Sequence, residues 1–259
     1  GGNYGVPYEV MIELANLEDL DLWICIPHRA STGFHQALAN LLVEQLEPGR
    51  RVWIEYSNEI FNFWYPVNAY LYAESQAINA TLSHEEEYID LYTLHGRATT
   101  PLFETFDRIF RERGRRDSLI NVLSGQNGWS YPLETAAAEV ERLGAMDLVD
   151  AFAIAPYFAI PEPEGPEDPL RPLIEGLDPA DYPEDHPLWE EIETALFTLV
   201  DYIFDPAYEA GAGNRANLQI AETQGKPLVA YEGGQHLHAF SADYLNYLRP
   251  WLGALNRHP

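Results

Sequence analysis

The sequence predicts a parallel α/β fold, on three observations. Five short runs are apolar almost throughout, segments with helical periodicity alternate with them, and two of the runs end in a glutamate. Near-continuous apolar strands are the mark of a sheet covered by helices, in contrast to the alternating pattern of a half-exposed sheet. Strand–helix alternation leaves two architectures, an open doubly wound sheet and a closed (β/α)8 barrel.

Taken in order, YEVMIELANL near the start reads as a helix and DLWICIP at 21–27 as the first strand. Residues 34–47, FHQALANLLVEQLE, carry a helical apolar stripe and stop before Pro48-Gly49, a normal helix exit. VWIEYS at 52–57 is the second strand. Ser83 with Glu86 makes a capping-box pattern that opens a helical region ending near Gly114, with a break or kink expected at Pro101. SLINVLS at 118–124 is the third strand, and residues 133–143 form a helix with Pro132 at its start and Gly144 past its end. DAFAIAPYF at 150–158 is the fourth. From 159 to 187 the chain is rich in proline and acid and reads as a loop insertion. Helix resumes over 188–204, and an irregular patch leads to the fifth strand, PLVAYE at 227–232. YLNYLRPWLGAL reads as a last helix. No linker divides the chain, so residues 1–259 are expected to form a single domain.

Charge excludes some partners. Forty-one acidic residues against 15 basic ones give a formal net charge of -26, which argues against nucleic acid or an anionic membrane surface. Lys226 is the only lysine. An acidic, lysine-poor surface fits a salt-adapted source or a secreted protein, and secretion is the expectation. Cys25, the only cysteine, sits inside LWICIP as a small hydrophobe and can form no internal disulfide. No run is long and apolar enough for a membrane span. GAGN at 211–214 lacks the strand that a dinucleotide fingerprint requires, and no phosphate-binding GxxxxGK[ST] occurs, so no cofactor is expected.

Two strand ends carry the chemistry. VWIEYSNEIFNFWY runs from strand formers into Asn58-Glu59 and then aromatics, and PLVAYEGG runs from aliphatics into Glu232. A glutamate among Phe61, Phe63, Trp64 and Tyr65 is costly to bury without partners; a helix cap would be the plain explanation. Two other strands lie between, so the glutamates occupy strands n and n+3. In a closed barrel such strands face each other across the mouth where barrel active sites are built. Two carboxylates across an aromatic-lined cleft are what glycoside hydrolysis needs.

At these residues the sequence resembles the clan A retaining glycoside hydrolases, (β/α)8 barrels with an Asn-Glu acid/base ending strand four and a glutamate nucleophile ending strand seven. The resemblance runs from about Asp21 to Gly234. It implies that Glu59 is the acid/base with a raised pKa, Asn58 the ligand of the sugar 2-hydroxyl and Glu232 the nucleophile, with Tyr157 placed to donate to it. It also implies a carbohydrate substrate cleaved by double displacement. His28 and Arg29, ending LWICIP, are candidates for sugar hydroxyls or for bonds between strand ends. Trp129 in GQNGWSY is a candidate stacking platform, with Trp64 and Tyr65 as further ones, and Gln126 and Asn127 are candidate hydroxyl ligands on the same rim. His236 is a candidate rim ligand; with His238 it could also hold metal, although no metal is expected. Only strands three to seven of such a barrel are visible. Strands one, two and eight have no counterpart, and a five-strand arc leaves two raw edges, so flanking strands or domains are expected. A carbohydrate-binding or structural protein on the same scaffold is the alternative, and a metal-dependent hydrolase or lyase a third.

Overall fold

The computed structural model describes residues 5–83, 88–159, 167–183, 185–237 and 242–255. Nine helices and seven strands are assigned among them. In chain order they are α1 (Tyr8–Glu18), β1 (Leu22–Ile26), α2 (Thr32–Gln45), β2 (Val52–Tyr56), α3 (Pro66–Asn79), α4 (Leu91–Glu112), β3 (Leu119–Ser124) and α5 (Tyr131–Arg142). There follow β4 (Ala151–Ile154), β5 (Tyr157–Phe158), α6 (Arg171–Ile174), α7 (Leu188–Tyr202), α8 (Glu209–Thr223), β6 (Leu228–Ala230), β7 (Gly234–Gln235) and α9 (Ala242–Leu255). The chain forms two compact units. One comprises residues 1–126, 130–153 and 219–229; the other comprises 127–129, 154–218 and 230–259.

The first unit is built on a five-stranded sheet in the order β1-β2-β3-β4-β6, and β1 to β4 pair in parallel. Phe152 N–H donates to the Pro227 carbonyl at 2.9 Å and continues the pairing to the last strand. Strands that neighbour in sequential order, joined by right-handed crossovers, put every helix on the same face. The core obeys this. Leu22, Ile24, Ile26, Val52, Ile54, Tyr56, Leu119, Leu123 and Phe152 all face one way and pack with α1, α2, α3, α4 and α5. The other face carries Trp23, Cys25, Trp53, Glu55, Val122, Ser124, Ala151 and Ala153, by strand alternation, and none of these joins that core. Sequence reading expected helices over the sheet; the helical core of this unit covers one face. The sheet is not seen to close: β1 and β6 do not pair with each other among the described residues.

Several local expectations change. Helix α4 starts at Leu91, where the Asp90 carboxylate accepts from the N–H groups of Tyr92 and Thr93 at 3.0 and 2.8 Å. That cap displaces Ser83, whose expected partner Glu86 lies outside the described residues. The helix then runs through Pro101 without a break. Helix α2 begins at the Ser31 cap and lacks a C-terminal glycine; instead Arg115 donates to the carbonyls of Val43, Leu46 and Glu47. Helices α4 and α5 approach so closely at Gly96 that a β-carbon there would lie 2.6 Å from the Ala136 carbonyl. At the start of β3 and β4, Arg116 ties Asp107 of α4 to Asp150 with contacts of 2.5 to 2.9 Å, and bonds the Leu119 carbonyl.

The run expected as one strand over 150–158 is two, β4 in the sheet of the first unit and β5 in the second unit. Ala155 and Pro156 interrupt it, since proline has no N–H for a ladder, and Tyr157-Phe158 pairs in parallel with Gly234-Gln235 as a separate small sheet. The second unit's core gathers Leu170, Ile174, Trp189, Ile192, Leu199, Leu248 and Trp251. Leu170 and Ile174 belong to the acidic 159–187 stretch, of which 160–166 and 184 lie outside the described residues; in the rest α6 and a 3-10 turn at Pro179–Asp181 form. The expected irregular patch before the last strand is instead largely α8. Its glycines read as breakers, but Gly211 and Gly213 are where the helix touches the backbone of Asp205 and Gly128, which a side chain would block.

Candidate active site

The second strand of the first unit delivers Asn58-Glu59 through a strained turn. Ser57 and Glu59 adopt left-handed backbone, with φ of 59° and 43°, on either side of Asn58. Neither is glycine, and each such position costs about 1–3 kcal/mol unless neighbours enforce it. The neighbours are specific. Ser57 N–H donates to the Ile26 carbonyl at 2.7 Å, Ile60 is buried, and Asn68 Nδ2 holds the Ile60 carbonyl at 2.9 Å. Asn62 binds Glu59 twice, N–H to carbonyl at 2.8 Å and Nδ2 to Oε2 at 2.9 Å. Glu59 is half-buried.

Phe63 and Trp64 depart from the expected aromatic wall. They are 74% and 81% exposed and lie against each other, centroids 5.1 Å apart, while Phe61 alone of the expected group packs on the core. His28 and Arg29 do follow β1. The half-buried His28 ring lies 5.1 Å from Tyr70 of α3, Arg29 stands 5.9 Å over the same ring, and the His28 carbonyl accepts from Tyr56 Oη at 3.1 Å. Burial, then the Arg29 charge, holds His28 below the usual histidine pKa.

Sequence reasoning missed Glu55. It lies on β2 on the face away from the helical core, 1% exposed. Its Oε2 accepts from Trp23 Nε1 at 2.9 Å and stands 3.6 Å from Cys25 Sγ, which is in turn 4.0 Å from Asn58 Oδ1. Burial raises the Glu55 pKa and the charge of Glu59 adds to the rise, against contacts from Ser124, Trp23 and Cys25 that lower it. Neither Glu55 Oε1 nor Ser124 Oγ completes a hydrogen bond of good geometry. Three residues separate Glu55 from the expected acid/base, but inside VWIEY it read as one polar residue in a strand. A signal was there: Cys25 stands in register with it across β1 and β2, and Trp23 lies two residues earlier on the same face.

In the second unit Glu232 is exposed just beyond β6. Tyr157 pairs in register with Gly234, two residues past Glu232, and its ring lies 5.0 Å from that of His236, whose N–H donates to the Phe158 carbonyl at 2.8 Å. Trp129 is 45% exposed. The Asn127 side-chain oxygen accepts from Asn214 Nδ2 at 2.7 Å, so the group expected to meet a sugar hydroxyl is engaged within the unit. His238 lies outside the described residues. Among the described residues no group of three or more His, Cys, Asp or Glu could hold a metal. Gln126 is partly buried in the first unit. A cavity of about 810 Å³ in the first unit, and others of about 500 and 270 Å³ in the second, are lined by none of the candidate residues.

No family model and no curated protein matches the chain. A chain from a structural study of two fungal beta-1,4-galactanases is similar at 10% sequence identity, over 87% of this chain and 80% of that one, with a TM-score of 0.28. Likeness at that level carries no argument about activity, so the functional reading rests on the residues described above.

Proposed function

We propose that the chain is a retaining glycoside hydrolase acting on a polysaccharide or oligosaccharide, with Glu59 as general acid/base and Glu232 as nucleophile. The observation that supports it most is the turn at 57–59, where two left-handed non-glycine residues hold an Asn-Glu pair at a strand's C-terminal end. Strain of this kind gathers at functional sites. In the first step Glu59 protonates the glycosidic oxygen as the Glu232 carboxylate attacks the anomeric carbon, and the leaving sugar departs. In the second, Glu59, now ionised, takes a proton from water; the water oxygen bonds the anomeric carbon, and Glu232 is released. Asn58 bonds the 2-hydroxyl, Tyr157 donates to Glu232, and Trp129 and Trp64 stack on sugar rings. A secreted enzyme fits the acidic composition.

The test separates the two roles. Glu232→Gln should abolish turnover on every substrate, whereas Glu59→Ala should keep some activity on activated aryl glycosides and be rescued by azide. NMR of the first-formed product should show retained anomeric configuration. Equal, unrescued losses in both variants would sink the assignment. A second reading, a carbohydrate-binding protein without turnover, is favoured by the exposure of Phe63 and Trp64; saturable oligosaccharide binding with no new reducing ends would establish it.

A further inference from the structure

Trp129 stands in the short connection between β3 and α5 and is 45% exposed. A large ring displayed on a loop is either idle surface or a contact face for a flat partner. The residues just before it favour the second. Asn214 of α8 is 0% exposed, and its side-chain amide makes three short bonds. Its Oδ1 accepts from Gly128 N–H at 2.6 Å, and its Nδ2 donates to Asn127 Oδ1 and to the Ile203 carbonyl, each at 2.7 Å. Two of the three go to the residues that immediately precede Trp129.

Steric fit adds to the bonds. Gly213, beside Asn214, lies so close to the loop that a β-carbon there would meet the Gly128 carbonyl and come within 2.9 Å of the Trp129 nitrogen. Gly128 itself takes left-handed backbone, with φ of 75°, and a β-carbon on it would lie 3.2 Å from the α-carbon of Ala210. Loop and helix backbones therefore touch along one turn of α8, with no side chain between them. The Phe204 carbonyl accepts from Arg215 at 2.6 Å, so the connection between α7 and α8 is tied to the same stretch of helix. Surface loops are ordinarily mobile; this one is held at two successive residues by a buried helical amide.

We propose that Asn214 is a positioning residue for Trp129, holding the indole as a rigid platform so that a sugar ring can stack on it without first ordering the loop. The proposal rests on the glycosidase reading above and adds to it a residue too buried to touch substrate. Preorganisation of this kind acts on binding: freeing one large side chain weakens affinity by about 2- to 12-fold. When ground state and transition state lose the same contact, KM rises and kcat does not change.

The test is steady-state kinetics on whichever of four neutral hexasaccharides, of glucose, xylose, mannose or galactose, the parent chain hydrolyses fastest. Asn214→Ala should raise KM by about 3- to 10-fold with kcat within about twofold, and Trp129→Ala should raise KM at least as much. In the Trp129→Ala background the Asn214 substitution should raise KM no further, because its effect runs through the indole. Gly128→Ala strains the loop from its own side; it should act like Asn214→Ala and keeps the test open if that variant unfolds. A merely structural Asn214 would lower kcat with the folded fraction and leave KM alone. That outcome, an unchanged KM in both loop variants, or equal rises in KM with and without Trp129, would overturn the proposal. Absence of turnover by the parent on all four sugars would count against the glycosidase reading itself, and the proposal would fall with it.

Discussion

Asn62 donates its side-chain amide to the Glu59 carboxylate at 2.9 Å while its backbone N–H closes on the Glu59 carbonyl at 2.8 Å. One residue therefore fixes both the backbone and the acid of the strained turn. Misplacing a catalytic group by about 1 Å can cost around a hundredfold in rate. Asn62→Ala is expected to lower kcat by about 10- to 100-fold while lowering stability by only about 1 kcal/mol. Steady-state kinetics and thermal melts check this; a large loss of stability with kcat unchanged would make the contact purely structural.

Buried Glu55 should tolerate an amide better than a truncation. Glu55→Gln keeps an acceptor for Trp23 Nε1 and removes the cost of a charge that burial already disfavours, so stability at neutral pH is expected to hold or rise. Glu55→Ala strands the indole N–H and leaves a void, for a loss of about 2–4 kcal/mol. Urea unfolding of the two variants decides it, with equal losses counting against a protonated Glu55.

His95 of α4 is fully buried, neither ring nitrogen has a hydrogen-bond partner, and burial pushes its pKa down to about 4. Above the unfolded value of about 6.5 both states are neutral and the group contributes no pH dependence. As pH falls from there to about 4, the unfolded chain takes up a proton that the folded one refuses, and stability drops by about 3 kcal/mol. Glu55 acts with the opposite sign: its raised pKa makes the folded chain the better proton binder, so its contribution fades as pH rises above about 4.5. His95→Leu removes the first effect alone. The variant is expected to match or exceed the parent in stability at pH 7 and to lose less between pH 6.5 and 4, read from urea midpoints; parallel pH profiles would refute this.

The ion network at the start of β3 is a further weak point if cut. Burial pushes the Asp107 carboxyl up, but bonds to Arg111 and Arg116 outweigh it and hold the group below the usual range. Arg116→Ala leaves Asp107 and Asp150 facing each other without their shared cation. A loss of about 3–5 kcal/mol is expected by calorimetry or urea unfolding, and a change under 1 kcal/mol would show that water replaces the guanidinium.

The strands were legible because their burial is dense: LWICI, VWIEY, LINVL and AFAI hold apolar residues that few other placements could satisfy. Their caps were less so. Asp90 opens α4 with no capping-box partner to mark it, and the arginine that caps the end of α2 lies far along the chain, so neither cap contact could be read locally. Helix α8 was misread because its glycines serve close backbone approach, which composition cannot tell from a turn. At the candidate site the Asn58-Glu59 turn could be read from residue order, but its enforcement by Asn62, Asn68 and the Ile26 carbonyl could not. Glu55 escaped notice because its partners come from the neighbouring strand, about thirty positions earlier in the chain.

The arginine clamp on α2 sets an order of events during synthesis. The Leu46 carbonyl waits for a guanidinium 69 positions downstream. At about 5–20 residues per second, a ribosome needs roughly 3–14 s to supply it. Until then that carbonyl is left to water, and only Asn16, which bonds the Gln45 carbonyl and the Glu47 N–H, braces the end of the helix. The segment just after α4 thus acts as a latch that closes on an older element only once β1 and β2 have been translated.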